Sequence, residues 1–330
     1  MPEKILVVRF SSIGDIVLTT PVVRSLKLQL NAAEVHYITK EAFAPQLRSN
    51  PYISKVFTIK SKVSEVINEL KAENYDFVID LHNNLRSWQV LMALRKPYGR
   101  FRKLNIRKWL LVRLGIDLMP QVHIVDRYMQ AASGLNIKND GKGLDFFIPE
   151  EQEVPLNVLP EEFRDGYVGL VTGGKHNTKI LPAEKIAEIC SLLDLPVVLL
   201  GGPEDNSRAE EVCSLAGLKA YNACGRFNLL QSASLVRQAK FIITNDTGLM
   251  HIAAAFKKPV VSVWGNTVPQ LGMYPYLPGD VPALISEVKG LSCRPCSKIG
   301  FDKCPKGHFK CMMNQDSQRI AEFVNLNSKI

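Results

Sequence analysis

Residues 241–264, FIITNDTGLMHIAAAFKKPVVSVW, restrict the fold of this chain more than any other stretch. Phe241 to Thr244 is an apolar β run, Asn245-Asp246-Thr247-Gly248 is a polar turn, and Leu249 to Phe256 is a helical run of small and apolar residues. Pro259 to Trp264 is a second buried strand. Two strand-length apolar runs flanking one helical pattern make a β-α-β unit. Its turn lies where a strand's carboxyl end meets a helix's amino end, and unpaired N–H groups and the helix dipole there favour a phosphate. A second strand-turn-helix unit opens the chain: Ile5 to Phe10, then Ser11-Ser12-Ile13-Gly14-Asp15, then an amphipathic run from Ile16 to Leu30. Two polar turns, one in each half, predict a cleft between two sheets.

The same alternation runs through the whole sequence. Strand candidates are 4–10, 34–39, 55–59 and 76–81 in the first half, and 167–172, 196–201, 240–244 and 259–264 in the second. Helical patterns at 16–30, 63–74, 84–95, 183–194, 205–216 and 228–239 separate them. This predicts an α/β protein with parallel sheets and helices on both faces. At 330 residues the chain is long enough for two such domains. The join is expected within 137–165, where Pro149, Pro155 and Pro160 punctuate a stretch containing Glu150, Glu151, Glu153, Glu161 and Glu162. We expect a first domain over 1–150 and a second over 151–315, the latter with a Cys-rich loop at 290–312. A last helix within 316–330, from Ser317 to Leu326, is expected to pack back across the seam.

Hydrophobic residues make up 46% of the chain and charged residues 22%, a balance that fits a soluble globular protein. Met1-Pro2-Glu3-Lys4 does not open a signal sequence, and no run approaches the roughly 18 apolar residues of a membrane span. The expectation is a cytoplasmic protein. The net charge of +9 suits an anionic partner. Much of it lies in residues 95–113, with eight basic side chains and no acidic one, interleaved with Tyr98, Phe101, Trp109, Leu110 and Leu111. Such a segment reads either as a membrane-surface element, apolar side down, or as a solvated helix face. No helix-turn-helix, zinc-finger or RNA-stacking signature accompanies it, so no nucleic-acid partner is expected.

Neither glycine pattern is a standard nucleotide fingerprint: there is no G-x-x-x-x-G-K-[ST], and the first turn is not G-x-G-x-x-G. A dehydrogenase and a P-loop ATPase are disfavoured. Thr172-Gly173-Gly174, Gly201-Gly202-Pro203 and Asp246-Thr247-Gly248 lie in register on successive strands. Together they suggest a nucleotide held on the second domain.

The chain resembles the family 9 glycosyltransferases, the bacterial lipopolysaccharide heptosyltransferases and their relatives. The resemblance rests on VVRFSSIGDIVLTTPVVRSL at 7–26, VIDLHNNLRS at 78–87, TKILPAEKIAEI at 178–189, LLGGPED at 199–205 and ITNDTGLMHIAAAFKKPVVSVWG at 243–265. It implies a GT-B architecture of two Rossmann-like domains, with the acceptor bound on the first and a nucleotide-activated sugar on the second. It further implies transfer of a heptose from ADP-heptose to the inner core of lipopolysaccharide, with inversion and without an essential metal. Such an enzyme would work at the cytoplasmic face of the inner membrane as a peripheral protein.

Asp15 matches the family's acidic residue facing the acceptor hydroxyl, which makes it the general base. An inverting displacement needs the attacking oxygen deprotonated as it reaches the anomeric carbon. By position alone Asp15 also reads as the N-cap of a helix starting at Ile16. Lys179 matches the cation that meets the donor's pyrophosphate, where negative charge grows as the nucleoside diphosphate departs. Thr178, Asp246, Thr247, Gly248 and His251 match the donor site; a phosphate would take hydrogen bonds from the Thr247 hydroxyl and first-turn N–H groups, with Asp246 on donor hydroxyls or ordering the turn. His251 reads equally as a buried, backbone-bonded histidine. Ser11, Ser12, Gly14, His82, Asn83 and Arg86 are expected on the acceptor side, Arg86 suiting a phosphate or carboxylate. Leu181 stands where relatives often carry a bulky aromatic.

Cys293, Cys296, Cys304 and Cys311, with His308 in the last loop, have spacing compatible with a tetrahedral structural zinc. With Lys298, Lys303, Lys306 and Lys310 around them, they read equally as a basic lid whose cysteines pack a small loop. Three other functional readings stay open from the residues: a relative using another nucleotide sugar, a nucleotide-sugar epimerase, and a non-catalytic nucleotide-sugar-binding protein.

Overall fold

In the computed structural model, which describes residues 2–30 and 33–328, the apolar runs become parallel strands as their patterning requires. The first unit contains β1 (Lys4–Val8), α1 (Ile13–Val17), α2 (Thr20–Gln29), β2 (Glu34–Lys40), α3 (Pro45–Arg48), β3 (Lys55–Ile59), α4 (Ile67–Ala72), β4 (Phe77–Asp80), α5 (Leu85–Leu94) and β5 (Tyr98–Arg100). Helix α6 (Asn105–Leu114) groups with the second unit, and α7 (Ile124–Met129) with the first. The five strands are ordered β3-β2-β1-β4-β5, every pairing parallel. Strand β1 is buried from Ile5 onward because sheet neighbours and helices cover both its edges and faces. Leu6, Val8, Ile38, Phe57 and Val78 from the sheet meet Val90, Leu91 and Leu94 of α5 in one core.

The second unit runs through β6 (Val168–Val171), α8 (Ala183–Leu192), β7 (Val197–Leu200), α9 (Asn206–Ala216), β8 (Ala220–Asn222), α10 (Leu229–Gln238), β9 (Phe241–Asn245), α11 (Gly248–Ala255) and β10 (Val260–Trp264). It ends with β11 (Ala283–Glu287), α12 (Lys310–Met313) and α13 (Ser317–Asn327). Its sheet is β11-β10-β9-β6-β7-β8, again all parallel. Each sheet reverses its strand order once, between β1 and β4 in the first unit and between β6 and β9 in the second. The carboxyl ends beside such a reversal are where open α/β sheets bind ligands.

Four features differ from the sequence expectation. The helix expected over 16–30 is two helices, α1 and α2, because Pro21 lacks an N–H and fits only a first turn; the hydroxyls of Thr19 and Thr20 donate back to the carbonyls of Ile16 and Val17 across the break. Residues 95–113 are not one amphipathic element: they divide into β5 and α6, and residues 104–121 belong to the second unit. The last helix packs on α8 within its own unit. Ile320, Ala321 and Val324 join the second core, and the Asn325 side-chain amide donates to the Leu192 carbonyl at 2.9 Å. Finally, β5, β8 and β11 are strands that the apolar pattern does not predict, the first two only three residues long. Among the described residues no helix is long and apolar enough to cross a membrane.

Candidate active site

At the end of β1, helix α1 begins one turn earlier than expected. Ser12, in extended conformation, is its N-cap, and Asp15 occupies the third helical position. The Asp15 carboxylate accepts from the Ser12 N–H at 3.2 Å and the Ser12 hydroxyl at 2.8 Å, both on Oδ2. Its other oxygen, Oδ1, lies 2.8 Å from Nη2 of Arg9. Asp15 therefore caps the helix from inside the first turn and not as the N-cap residue.

Arg9 is the residue in this site that sequence reasoning missed. It is 7% exposed, and its guanidinium donates to the Ser11 carbonyl at 2.7 Å, the Leu81 carbonyl at 2.5 Å and the Tyr128 hydroxyl at 2.9 Å. Burial, the largest influence, would lower its pKa, but the Asp15 carboxylate together with Tyr128 and Tyr37 outweighs it and the group stays charged. A lone arginine inside the apolar run VVRF was the available signal: a buried cation needs a partner. Tyr128, in α7, has no such signal.

The β4 end contributes the other acceptor-side candidates. Asp80 is fully buried and takes hydrogen bonds from the N–H groups of His82 and Asn83, at 2.9 and 2.8 Å, from the Ser87 hydroxyl and from Arg100. Asn83 is at φ +52°, a left-handed turn that asparagine tolerates, and its amide donates to the Phe101 carbonyl at 2.9 Å. That amide is a turn fastener. His82 packs edge-on to Phe10 and, through burial first and the charges of Arg9, Lys103 and Arg86 next, has its pKa pushed down to about 3. The ring is neutral and feels the Asp15 charge, so His82 and Asp15 share one neighbourhood. Gly14 is buried within α1.

In the second unit, Lys179 and Asp246 meet although 67 residues separate them: Nζ donates to Oδ2 at 2.6 Å, with side chains 16% and 11% exposed. The Thr267 hydroxyl, on the loop after β10, donates to the same Oδ2 at 2.9 Å; sequence reasoning missed this residue. Asn245 ties the turn to its neighbours, donating to the Val171 carbonyl at 3.0 Å and accepting from the Leu181 N–H at 3.3 Å. Thr247, extended, is the N-cap of α11, Gly248 is its first residue, and His251 is buried on the following turn. Gly173 and Gly174 cross close by. A Cβ on Gly173 would come within 2.0 Å of the Asp205 carboxylate, and one on Gly174 within 3.3 Å of Thr247 Cγ2, so backbone comes to the turn where side chains would fill it.

Thr178 points elsewhere. It is 2% exposed, and its hydroxyl donates to the Phe301 carbonyl at 2.9 Å and accepts from the Phe301 N–H at 2.8 Å. Thr178 thus clamps the Cys-rich loop to the Lys179 turn. The same loop is pinned at Arg294, whose guanidinium donates to the carbonyls of Gly265 (2.5 Å), Val288 and Thr267 and pairs with Glu287 at 3.0 Å. The four loop cysteines are free thiols; Cys293 Sγ lies 3.8 Å from His308 Nε2, and burial raises the Cys311 thiol to about 11. Among the described residues no group of three or more His, Cys, Asp or Glu side chains is arranged to hold a metal ion.

Residues 63–297 match the family model "Glycosyltransferase family 9 (heptosyltransferase)". The chain belongs to glycosyltransferase family 9. The enzyme is 26% identical to lipopolysaccharide heptosyltransferase 1 of Campylobacter coli over 290 residues, covering 80% of this chain and 84% of that protein. Among solved structures it is similar to a family 9 glycosyl transferase from Veillonella parvula (TM-score 0.77, 22% identity, 99% and 97% of the two chains). It is also similar to ADP-heptose lps heptosyltransferase II of E. coli (TM-score 0.74, 21% identity, 99% and 98%). The fold of this family 9 glycosyltransferase is accordingly GT-B, with two Rossmann-like units in one chain.

Proposed function

We propose that this family 9 enzyme transfers a heptose from ADP-heptose to the inner core of lipopolysaccharide, inverting the anomeric centre. The observation that carries the reading is the meeting of Lys179 with Asp246 at the start of α11. A cation, the Thr247 hydroxyl and the N–H groups of a helix start converge there on a place suited to a diphosphate. The relatives' names, lipopolysaccharide heptosyltransferase and ADP-heptose heptosyltransferase, favour the sugar and the nucleotide.

In this mechanism the acceptor hydroxyl gives its proton to Asp15 as its oxygen bonds to the anomeric carbon, and the bond to the diphosphate breaks on the opposite side. Arg9 holds Asp15 in place through Oδ1. The proton moves as the attacking oxygen bonds, because the hydroxyl becomes more acidic at that stage. On the donor, Lys179 exchanges Asp246 for the departing diphosphate, whose negative charge grows in the transition state. Asp246 is left to accept from donor hydroxyls. His82, neutral, accepts or donates one hydrogen bond to the acceptor without adding charge beside Asp15. Lys179 answers the leaving-group charge, so the step needs no metal, and the enzyme works from the cytoplasmic face of the inner membrane, where its acceptor lies.

The test offers purified enzyme a panel of nucleotide sugars with truncated lipopolysaccharide and follows the product by mass. A heptose increment from ADP-heptose alone is expected, undiminished by excess chelator. An increment from another sugar only would discard the heptose donor; interconversion of the donor without acceptor would replace transfer by epimerisation.

A further inference from the structure

We propose that the outer face of α5, with the adjoining edge strand β5, docks on an anionic phospholipid bilayer. Leu85, Trp88 and Met92 are 81%, 40% and 63% exposed, and their i, i+3, i+7 spacing puts them on one side of the helix. The other side, with Val90, Leu91 and Leu94, is already buried in the first unit's core. The exposed stripe is therefore not needed to hold the helix in place. Tyr98, 46% exposed on β5, meets Trp88 edge-on with ring centroids 6.4 Å apart, and the Arg100 guanidinium lies 4.7 Å from the Trp88 ring centre. Tryptophan and tyrosine beside cations and aliphatic side chains are the composition that settles at headgroup depth.

Charge selects the occupant. From Leu81 to Ile116 the sequence holds no Asp or Glu. Arg95, Lys96 and Arg102 are exposed or half-buried in the first-unit part of that stretch, and the acid before it, Asp80, is fully buried and paired with Arg100. Helix α4, packed beside α5, brings Glu69 together with Lys71 and so leaves the balance cationic. Tyr98, Arg100 and Arg102 also line a recess of about 540 Å³ with Gln130 and Ser133, large enough for a phosphate headgroup. Such cations draw the face toward a negatively charged leaflet while the apolar stripe inserts. The inference takes its purpose from the proposed membrane-borne acceptor, but vesicle binding is read without donor or acceptor, so either can fail alone.

The full-length enzyme is mixed with unilamellar vesicles of phosphatidylglycerol and phosphatidylethanolamine, or of phosphatidylcholine alone, and sedimented at several salt concentrations. Binding to the anionic vesicles that weakens with salt is expected. Leu85→Ser with Met92→Ser should lower the partition coefficient on the order of tenfold or more, and Arg95→Gln with Lys96→Gln should lower it and flatten its salt dependence. Melting temperature should hold in both, because all four side chains lie outside the core; Trp88 is left intact because it stacks on Arg100. Wild-type enzyme that ignores anionic vesicles at low salt overturns the proposal. A Leu85→Ser/Met92→Ser variant that binds like wild type also overturns it. A wild-type dimer that this variant dissociates, with no vesicle binding, overturns it too and assigns the face to a second copy of the chain.

Discussion

Asp15 is held from two sides, and each contact sets a different property of the carboxylate. Ser12 fixes its direction through Oδ2, while Arg9 supplies its counter-charge through Oδ1. Asp15→Asn should lower turnover by roughly 10²–10⁴, the range for a positioned base. It should also lower the melting temperature, because the buried Arg9 loses its counter-charge, while ADP binding stays intact. Steady-state kinetics and calorimetry on the same preparation separate the effects, and near-normal turnover in the variant would remove Asp15 from the chemistry. His82 gives a second measurement. Its unfolded ring protonates near 6.5 and its folded ring only near 3, so between those values the unfolded chain binds the extra proton and stability falls as pH drops. Its ring signals in NMR should stay constant from pH 8 to 5. A midpoint near 6.5 would show a solvated ring and withdraw its role as a neutral partner.

At the scale of elements, the two strand-turn-helix units were legible because their apolar runs are long and their turns polar. The Asp246-Thr247-Gly248 turn lies at the end of β9 as the pattern requires. Strands β5 and β8 were not legible, since three-residue strands leave no periodicity to read and are fixed by pairing with β4 and β7. Pro21 divides the 16–30 run into two helices although the amphipathic pattern continues through it. Thr178 illustrates the site's unreadable part: its neighbour Lys179 faces Asp246, while Thr178 turns to a loop more than a hundred residues away. Sequence spacing cannot tell which of two adjacent side chains faces which way. Thr178→Val keeps the shape and removes the hydroxyl that serves both the N–H and carbonyl of Phe301, which should cost about 1–3 kcal/mol. Hydrogen exchange should show faster exchange at Phe301; unchanged protection would mean that Arg294 alone holds the loop.

At the scale of the whole molecule, each sheet carries its candidate residues at its own reversal of strand order. Asp15 and His82 lie at the ends of β1 and β4, Lys179 and Asp246 beside the ends of β6 and β9. Ligand binding to the second unit should therefore be measurable without any acceptor. If Lys179 and the α11 start hold a nucleoside diphosphate, ADP should raise the melting temperature by mass action on the folded state. Lys179→Ala should weaken that protection. It should also cut turnover more than it weakens binding of the intact donor, since the lysine meets charge that appears as the bond breaks. The free protein adds a second consequence: Asp246 loses its ion-pair partner in Lys179→Ala and keeps the Thr267 hydroxyl, which carries no charge, so its carboxylate would repel a diphosphate placed beside it. Lys179→Ala with Asp246→Asn should then recover part of the ADP protection but little of the turnover. Both ADP effects should persist in excess chelator. A strict requirement for added magnesium, or a Lys179→Ala enzyme altered only in acceptor affinity, would contradict the donor-site assignment. Protection by UDP and none by ADP would keep sugar transfer and discard the heptose donor.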